Sequence, residues 1–111
     1  MRIDEEKLDR IMLELGHREN LLGTEYLREC VRQYAKCPGR LNKSIYPVVA
    51  EAKGTTAGRL ERDMRLSIET AWKVGSTEAQ FEYFGWSVDP VKCKPTVGEF
   101  IARVARLCRE D

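Results

Sequence analysis

Residues 42–74 read Asn42-Lys43-Ser44-Ile45-Tyr46-Pro47-Val48-Val49-Ala50-Glu51-Ala52-Lys53-Gly54-Thr55-Thr56-Ala57-Gly58-Arg59-Leu60-Glu61-Arg62-Asp63-Met64-Arg65-Leu66-Ser67-Ile68-Glu69-Thr70-Ala71-Trp72-Lys73-Val74, and this stretch decides the fold. Pro47 belongs in or near a first helical turn, because deeper in a helix its missing N–H and its ring break the hydrogen-bond ladder. Ile45, Val48, Val49 and Ala50 give a helix over 42–53 its apolar side. Gly54 ends that helix, and Thr55-Thr56 at once offers a fresh N-cap. A longer helix is predicted over 57–74. Its buried stripe is Ala57, Leu60, Met64, Ile68 and Ala71, with Trp72 beside them and Gly75 as the stop. A helix of about ten residues, a tight glycine turn and a longer second helix have the outline of a helix-turn-helix.

The same periodicity runs outward on both sides. Leu8, Ile11, Met12 and Leu15 form one stripe, with Asp4 as cap and Gly16 as a left-handed stop. Leu27, Cys30, Val31 and Tyr34 form another, opened by Gly23-Thr24 and closed by Cys37-Pro38-Gly39. After Gly75, Thr77 with Gln80 is a capping box for a short helix ending at Gly85, on which Phe81 and Phe84 share one side. Pro90 and Pro95 make 86–95 a loop. Thr96 with Glu99 is a second capping box. The last helix then buries Val97, Phe100, Ile101, Val104 and Leu107 or Cys108. No segment sustains the alternation of a strand. The fold class is all-α: six helices in one domain over 1–111, with the helix-turn-helix at about 42–74.

Composition excludes several classes. The 111 residues are 42% hydrophobic and 33% charged, with a formal net charge of +1. No apolar run is long enough to span a membrane, and the acidic start lacks the apolar core of a signal peptide, so a cytoplasmic protein is expected. The four cysteines, Cys30, Cys37, Cys93 and Cys108, contain no C-x-x-C spacing. Reduced thiols are the expectation: Cys30 and Cys108 in the core, Cys37 and Cys93 in connections. One histidine, His17, stands at a helix end as a surface or capping residue. No catalytic set, phosphate loop, metal site or cofactor motif is present, so no enzyme and no cofactor are expected.

Charge is uneven along the chain. Residues 36–65 carry an excess of four positive charges, while the segments on either side are slightly acidic. Arg59, Arg62 and Arg65 recur every three residues off the buried stripe of the second helix, at its N-terminal turns. Planar guanidinium forks there suit guanine O6 and N7 in a major groove, and Glu61 among them suits a cytosine amino group. Lys43, Ser44, Lys53, Thr55 and Thr56 surround the motif and suit phosphate oxygens. The competing reading is a solvated face whose Arg65 pairs with Glu69, with the threonines acting as caps alone.

The run Thr55-Thr56-Ala57, Arg59, Glu61-Arg62, Arg65, Ile68-Glu69 and Ala71-Trp72 resembles the recognition helix of the stage-zero sporulation protein A family. Tyr26-Leu27-Arg28-Glu29, Tyr46-Pro47, Phe84-Gly85, Lys94-Pro95-Thr96 and Glu99-Phe100-Ile101-Ala102 extend the likeness from about Leu8 to Leu107. The resemblance implies a six-helix effector domain that regulates transcription by binding double-stranded DNA at a box of the TGTCGAA type. It implies Glu61, Arg62 and Arg65 as base readers, with Arg59, Thr55, Thr56, Lys53, Lys43 and Ser44 on phosphates. It also implies a homodimer on tandem boxes through the last helix. A surface over 78–84 (Glu78, Phe81, Glu82 and Phe84) would meet the RNA polymerase sigma factor. The family's phospho-accepting receiver has no counterpart in these 111 residues.

Three positions depart from the family pattern. Gly58 stands where serine is common, Asp63 where alanine is common, and Leu66 where a polar residue or histidine is common. The alternative function is therefore a helical protein-interaction module that keeps the fold without specific DNA readout.

Overall fold

The Asp4 carboxylate accepts the Lys7 amide at 3.0 Å and starts α1 (Glu5–Leu15), which Gly16 stops at φ +90°. Leu8, Ile11, Met12 and Leu15 all turn inward, as the stripe predicts. This computed structural model describes residues 2–85 and 94–110. Among them are five further α-helices: α2 (Leu22–Lys36), α3 (Tyr46–Ala52), α4 (Ala57–Val74), α5 (Thr77–Phe84) and α6 (Val97–Cys108). One π-helical turn, Leu41–Ile45, leads directly into α3. The architecture is all-α with six helices, as read from the sequence. The expected loop over 86–95 falls mostly outside the described residues.

α4 is the central element. It crosses α2 over the largest helix–helix contact and is also packed by α3 and α6. Leu60, Met64, Ile68 and Ala71 are buried, Ala57 is half-buried, and Ser67 joins them as a buried polar residue. Trp72 lies beside the stripe, edge-on to Phe84 at 5.2 Å and to Phe100 at 6.2 Å. The Thr96–Glu99 capping box forms in both directions and opens α6. That helix buries Val97, Phe100, Ile101, Val104 and Cys108, leaving Leu107 half-buried.

Several local expectations are corrected. Gly23-Thr24 does not open α2. The helix begins at Leu22, and both residues are buried against α4. A Cβ on Gly23 would lie 1.9 Å from the Asp63 carbonyl oxygen, so the two backbones touch there and only glycine fits. In α3 the apolar side is Ile45, Tyr46, Val49 and Ala50, while Val48 is 56% exposed. At about 100° per residue Ile45, Tyr46, Val49 and Ala50 share one arc of about 140°, and Val48 falls outside it. The α5 cap is Ser76, whose hydroxyl accepts the Ala79 amide at 3.1 Å, rather than Thr77. Phe81 and Phe84 do not share a side: Phe84 is buried and stacked on Phe100 at 5.5 Å, while Phe81 is 58% exposed. A two-residue antiparallel pair, β1 (Arg2–Ile3) with β2 (Arg109–Glu110), joins residues too short in run to show alternation. None of the described helices is long and apolar enough to cross a membrane.

Candidate nucleic-acid interface

The turn between α3 and α4 is built from backbone hydrogen bonds. The Lys53 amide donates to Val49 at 3.0 Å, Gly54 to Glu51 at 3.2 Å and Thr55 to Ala50 at 2.9 Å. Gly54 adopts φ +68° with nothing within 4 Å of a would-be Cβ. The left-handed backbone, not crowding, therefore asks for glycine. Thr56 is the N-cap: its hydroxyl accepts the Arg59 amide at 3.2 Å. Thr55 is half-buried inside the turn.

Burial of Leu60 and Met64 turns the other side of α4 outward. Gly58, Arg59, Arg62, Arg65 and Leu66 are exposed on its first three turns, and Glu61 is half-exposed. Arg65 donates to the Glu61 carboxylate at 3.1 Å. The Arg65–Glu69 pair of the competing reading is not formed: Arg65 is engaged by Glu61, and Lys94, from the segment ahead of α6, takes Glu69 at 3.1 Å. Arg59 and Arg62 have no ion pair or hydrogen bond from their guanidinium groups among the described residues. Two cations thus stand unneutralised beside a preformed Arg–Glu fork.

The surrounding residues divide. Lys53 lies beside the turn, 3.6 Å from the Glu25 carboxylate of α2. Lys43 and Ser44 are exposed on the π-helical turn at the other end of α3. Glu78, Phe81 and Glu82 are exposed on α5, which packs mainly on α1 and α6 and so forms a separate surface. Phe84, grouped with them from sequence, faces the core instead. A cavity of about 420 Å³ adjoins the interface, lined by Leu41, Tyr46, Ile68 and Val97 together with Glu61 and Arg65.

Behind the exposed face lies a polar cluster that the sequence reading missed. His17 is buried, not at the surface, and its Nδ1 is 2.8 Å from the Ser67 hydroxyl of α4. Ser67 Oγ is 2.9 Å from Thr24 Oγ1 of α2, and Thr24 donates to the Arg18 carbonyl at 2.7 Å. The Phe100 ring packs edge-on to the imidazole at 5.1 Å. Burial, aided by the Arg28 charge, pulls the His17 pKa down to about 4. The available signal was Ser67 itself, a polar residue three after Met64 on an otherwise apolar stripe.

Nothing in this region resembles an activated nucleophile. Cys30 and Cys108 are buried as expected, and burial pushes their thiols up to about 12 and about 11. Cys37 is exposed, and Cys93 lies outside the described residues. Among the described residues no three His, Cys, Asp or Glu side chains are grouped to hold a metal ion. The protein family described as "Sporulation initiation factor Spo0A C terminal" matches residues 8–107 of this chain.

Proposed function

The chain belongs to the Spo0A C-terminal family, and from that premise we propose that it reads a short duplex box by laying the start of α4 in a major groove. It is a DNA-binding domain of a sporulation regulator. The observation that carries the finer reading is the exposed, unneutralised Arg59 and Arg62 next to the Arg65–Glu61 fork, all on the first turns of one capped helix.

The chemistry assigns roles. Arg62 and Arg65 offer bidentate donors to guanine edges, and Glu61 accepts from a cytosine amino group. Glu61 also orients the Arg65 guanidinium before DNA arrives, which lowers the ordering cost of the contact. Arg59, Lys53, Lys43 and Ser44 hold phosphates. The hydroxyls of Thr55 and Thr56 and the Thr56 amide at the α4 N-terminus do the same, where the helix dipole favours anions. The box is of the TGTCGAA type, with two copies of the chain on tandem boxes. Glu78, Phe81 and Glu82 of α5 form the surface offered to the RNA polymerase sigma factor. Residues 1–111 act as one effector domain in the cytoplasm, among the nucleoid DNA.

A second reading rests on a different observation. Leu66 is 51% exposed on the same face, and Leu22, 62% exposed, borders the same shallow hollow next to Asp63. Such a surface suits a protein-interaction module. A fluorescence-anisotropy titration at one stated salt concentration separates the two. It compares a duplex carrying two tandem TGTCGAA-type boxes with a scrambled duplex of equal composition, then repeats the titration at higher salt. Specific binders favour their site by about a thousandfold or more, and their affinity falls steeply with salt. Equal, salt-insensitive binding to both duplexes would sink the DNA reading and favour the module.

A further inference from the structure

The hydrogen-bond chain behind α4 has only one consistent polarity. Thr24 spends its single hydroxyl proton on the Arg18 carbonyl at 2.7 Å. At the 2.9 Å contact between the two hydroxyls, Ser67 must therefore be the donor and Thr24 the acceptor. Ser67 then has no proton left for His17, so His17 Nδ1–H donates to Ser67 Oγ across 2.8 Å. The imidazole is neutral and protonated on Nδ1, and its buried Nε2 has no hydrogen-bond partner among the described residues. The links thus run from the segment after α1, through the middle of α4, to the first turn of α2 and back to the chain before it.

We propose that His17, Ser67 and Thr24 are positioning residues for DNA readout, fixing the rotation of α4 about its own axis. This rests on the DNA-binding reading given above. The rest of the α4 bed is Leu60, Met64, Ile68 and Ala71, whose contacts with their neighbours are non-directional. Hydrogen bonds are not: their distances hold within a few tenths of an ångström, and they weaken steeply when bent. Gly23 sharpens the constraint, because α2 and α4 touch backbone to backbone one residue before Thr24. Any roll of α4 strands buried hydroxyls, which costs the full desolvation of each group.

The lever is long enough to matter. Arg62 and Arg65 project roughly 140–160° round the helix from Ser67 at about 100° per residue. A roll of about 20° carries a side-chain tip, about 6 Å from the axis, through about 2 Å. That exceeds the tolerance of a bidentate contact to a base edge. Phosphate contacts from flexible lysines and arginines survive the same displacement. Losing the chain should therefore lower discrimination more than total affinity.

Two substitutions at Thr24 isolate the effect. Thr24→Val keeps the shape and removes the hydroxyl, while Thr24→Ser keeps the hydroxyl. Wild type and both variants are titrated with the tandem-box and scrambled duplexes. The ratio of the two affinities should fall about tenfold in Thr24→Val, the equivalent of one base contact. Scrambled-duplex affinity should stay unchanged, and Thr24→Ser should restore the ratio. Long-range ¹H–¹⁵N correlation spectra of the wild-type imidazole provide a second readout that no folding defect affects, and they should show a protonated Nδ1 and a bare Nε2. An unchanged ratio in folded Thr24→Val overturns the proposal, as does an Nε2–H tautomer in the wild type. Wild type with no preference between the duplexes defeats the DNA reading itself, and the positioning role goes with it. Preference in wild type that persists in Thr24→Val defeats the positioning role alone.

Discussion

Lowering the pH from 7.5 to 5 should cost this fold about 2 kcal/mol through a single side chain, His17. Its imidazole is 4% exposed, and burial pulls its pKa from 6.5 to about 4. In the unfolded chain it takes a proton near pH 6.5; in the folded chain it resists until about pH 4. Between these values the unfolded state binds more protons, so stability falls as the pH falls and the loss is complete below the folded value. The full difference corresponds to about 3 kcal/mol at 1.36 kcal/mol per pKa unit, of which about 2 kcal/mol has developed by pH 5. For a domain of this size that is a drop in Tm of roughly 8–10 °C.

The pH 5 endpoint keeps carboxylates out of the comparison. Glu19, held below the usual carboxylate range chiefly by its hydrogen bond to Arg28, contributes stability that is lost only as the pH falls below the ordinary glutamate value. Urea unfolding of wild type and His17→Asn at pH 7.5, 6 and 5 is the assay. The carboxamide of that variant would still donate to Ser67 but does not titrate. The wild type should lose about 2 kcal/mol across the range, and the variant less than about 0.5 kcal/mol. Equal losses in both proteins would refute the assignment of the acid sensitivity to a buried neutral imidazole.

Three other outcomes follow from named contacts. Arg62→Ala should cost about 1–3 kcal/mol in binding to the tandem boxes and relax preference at one base position, whereas Lys53→Ala should weaken box and scrambled duplex about equally; competition titrations against single-base variants of the box distinguish the two. Gly23→Ala should destabilise the fold by about 3 kcal/mol in denaturant melts, because its Cβ would meet the Asp63 carbonyl oxygen at 1.9 Å and the α2 and α4 backbones must part. Phe81→Ser, at a side chain that is 58% exposed, should leave stability within about 0.5 kcal/mol and DNA affinity unchanged while lowering transcription by reconstituted RNA polymerase holoenzyme. Unimpaired transcription would remove Phe81 from the proposed sigma-factor surface.

What the sequence alone determined is everything that acts within a turn or two of helix. Asp4, Gly16, Gly54, Thr56 and the Thr96–Glu99 box all stop or start helices where their chemistry places them. The bounds of α4 and the outward arginines followed from its apolar spacing, because a 3.6-residue period separates two faces of one helix without reference to any partner. Only the tertiary structure decided what meets those faces. His17 and Ser67 are 50 residues apart, Thr24 and Ser67 are 43 apart, and Lys94 reaches Glu69 across 25, so no local pattern links them. Gly23 reads as a helix opener until Asp63 is seen against it. Tyr46 is buried with Val49 and Ala50 on one helical face, and Val48 is left outside it, because the inward side of α3 is chosen by what packs against it. Phe84 went inward and Phe81 outward because Trp72 and Phe100 receive one ring and leave the other exposed. Capping and periodicity are settled by neighbours in the chain, whereas burial, ion-pair choice and close approach are settled by whichever distant segment arrives, and that is a property of packing.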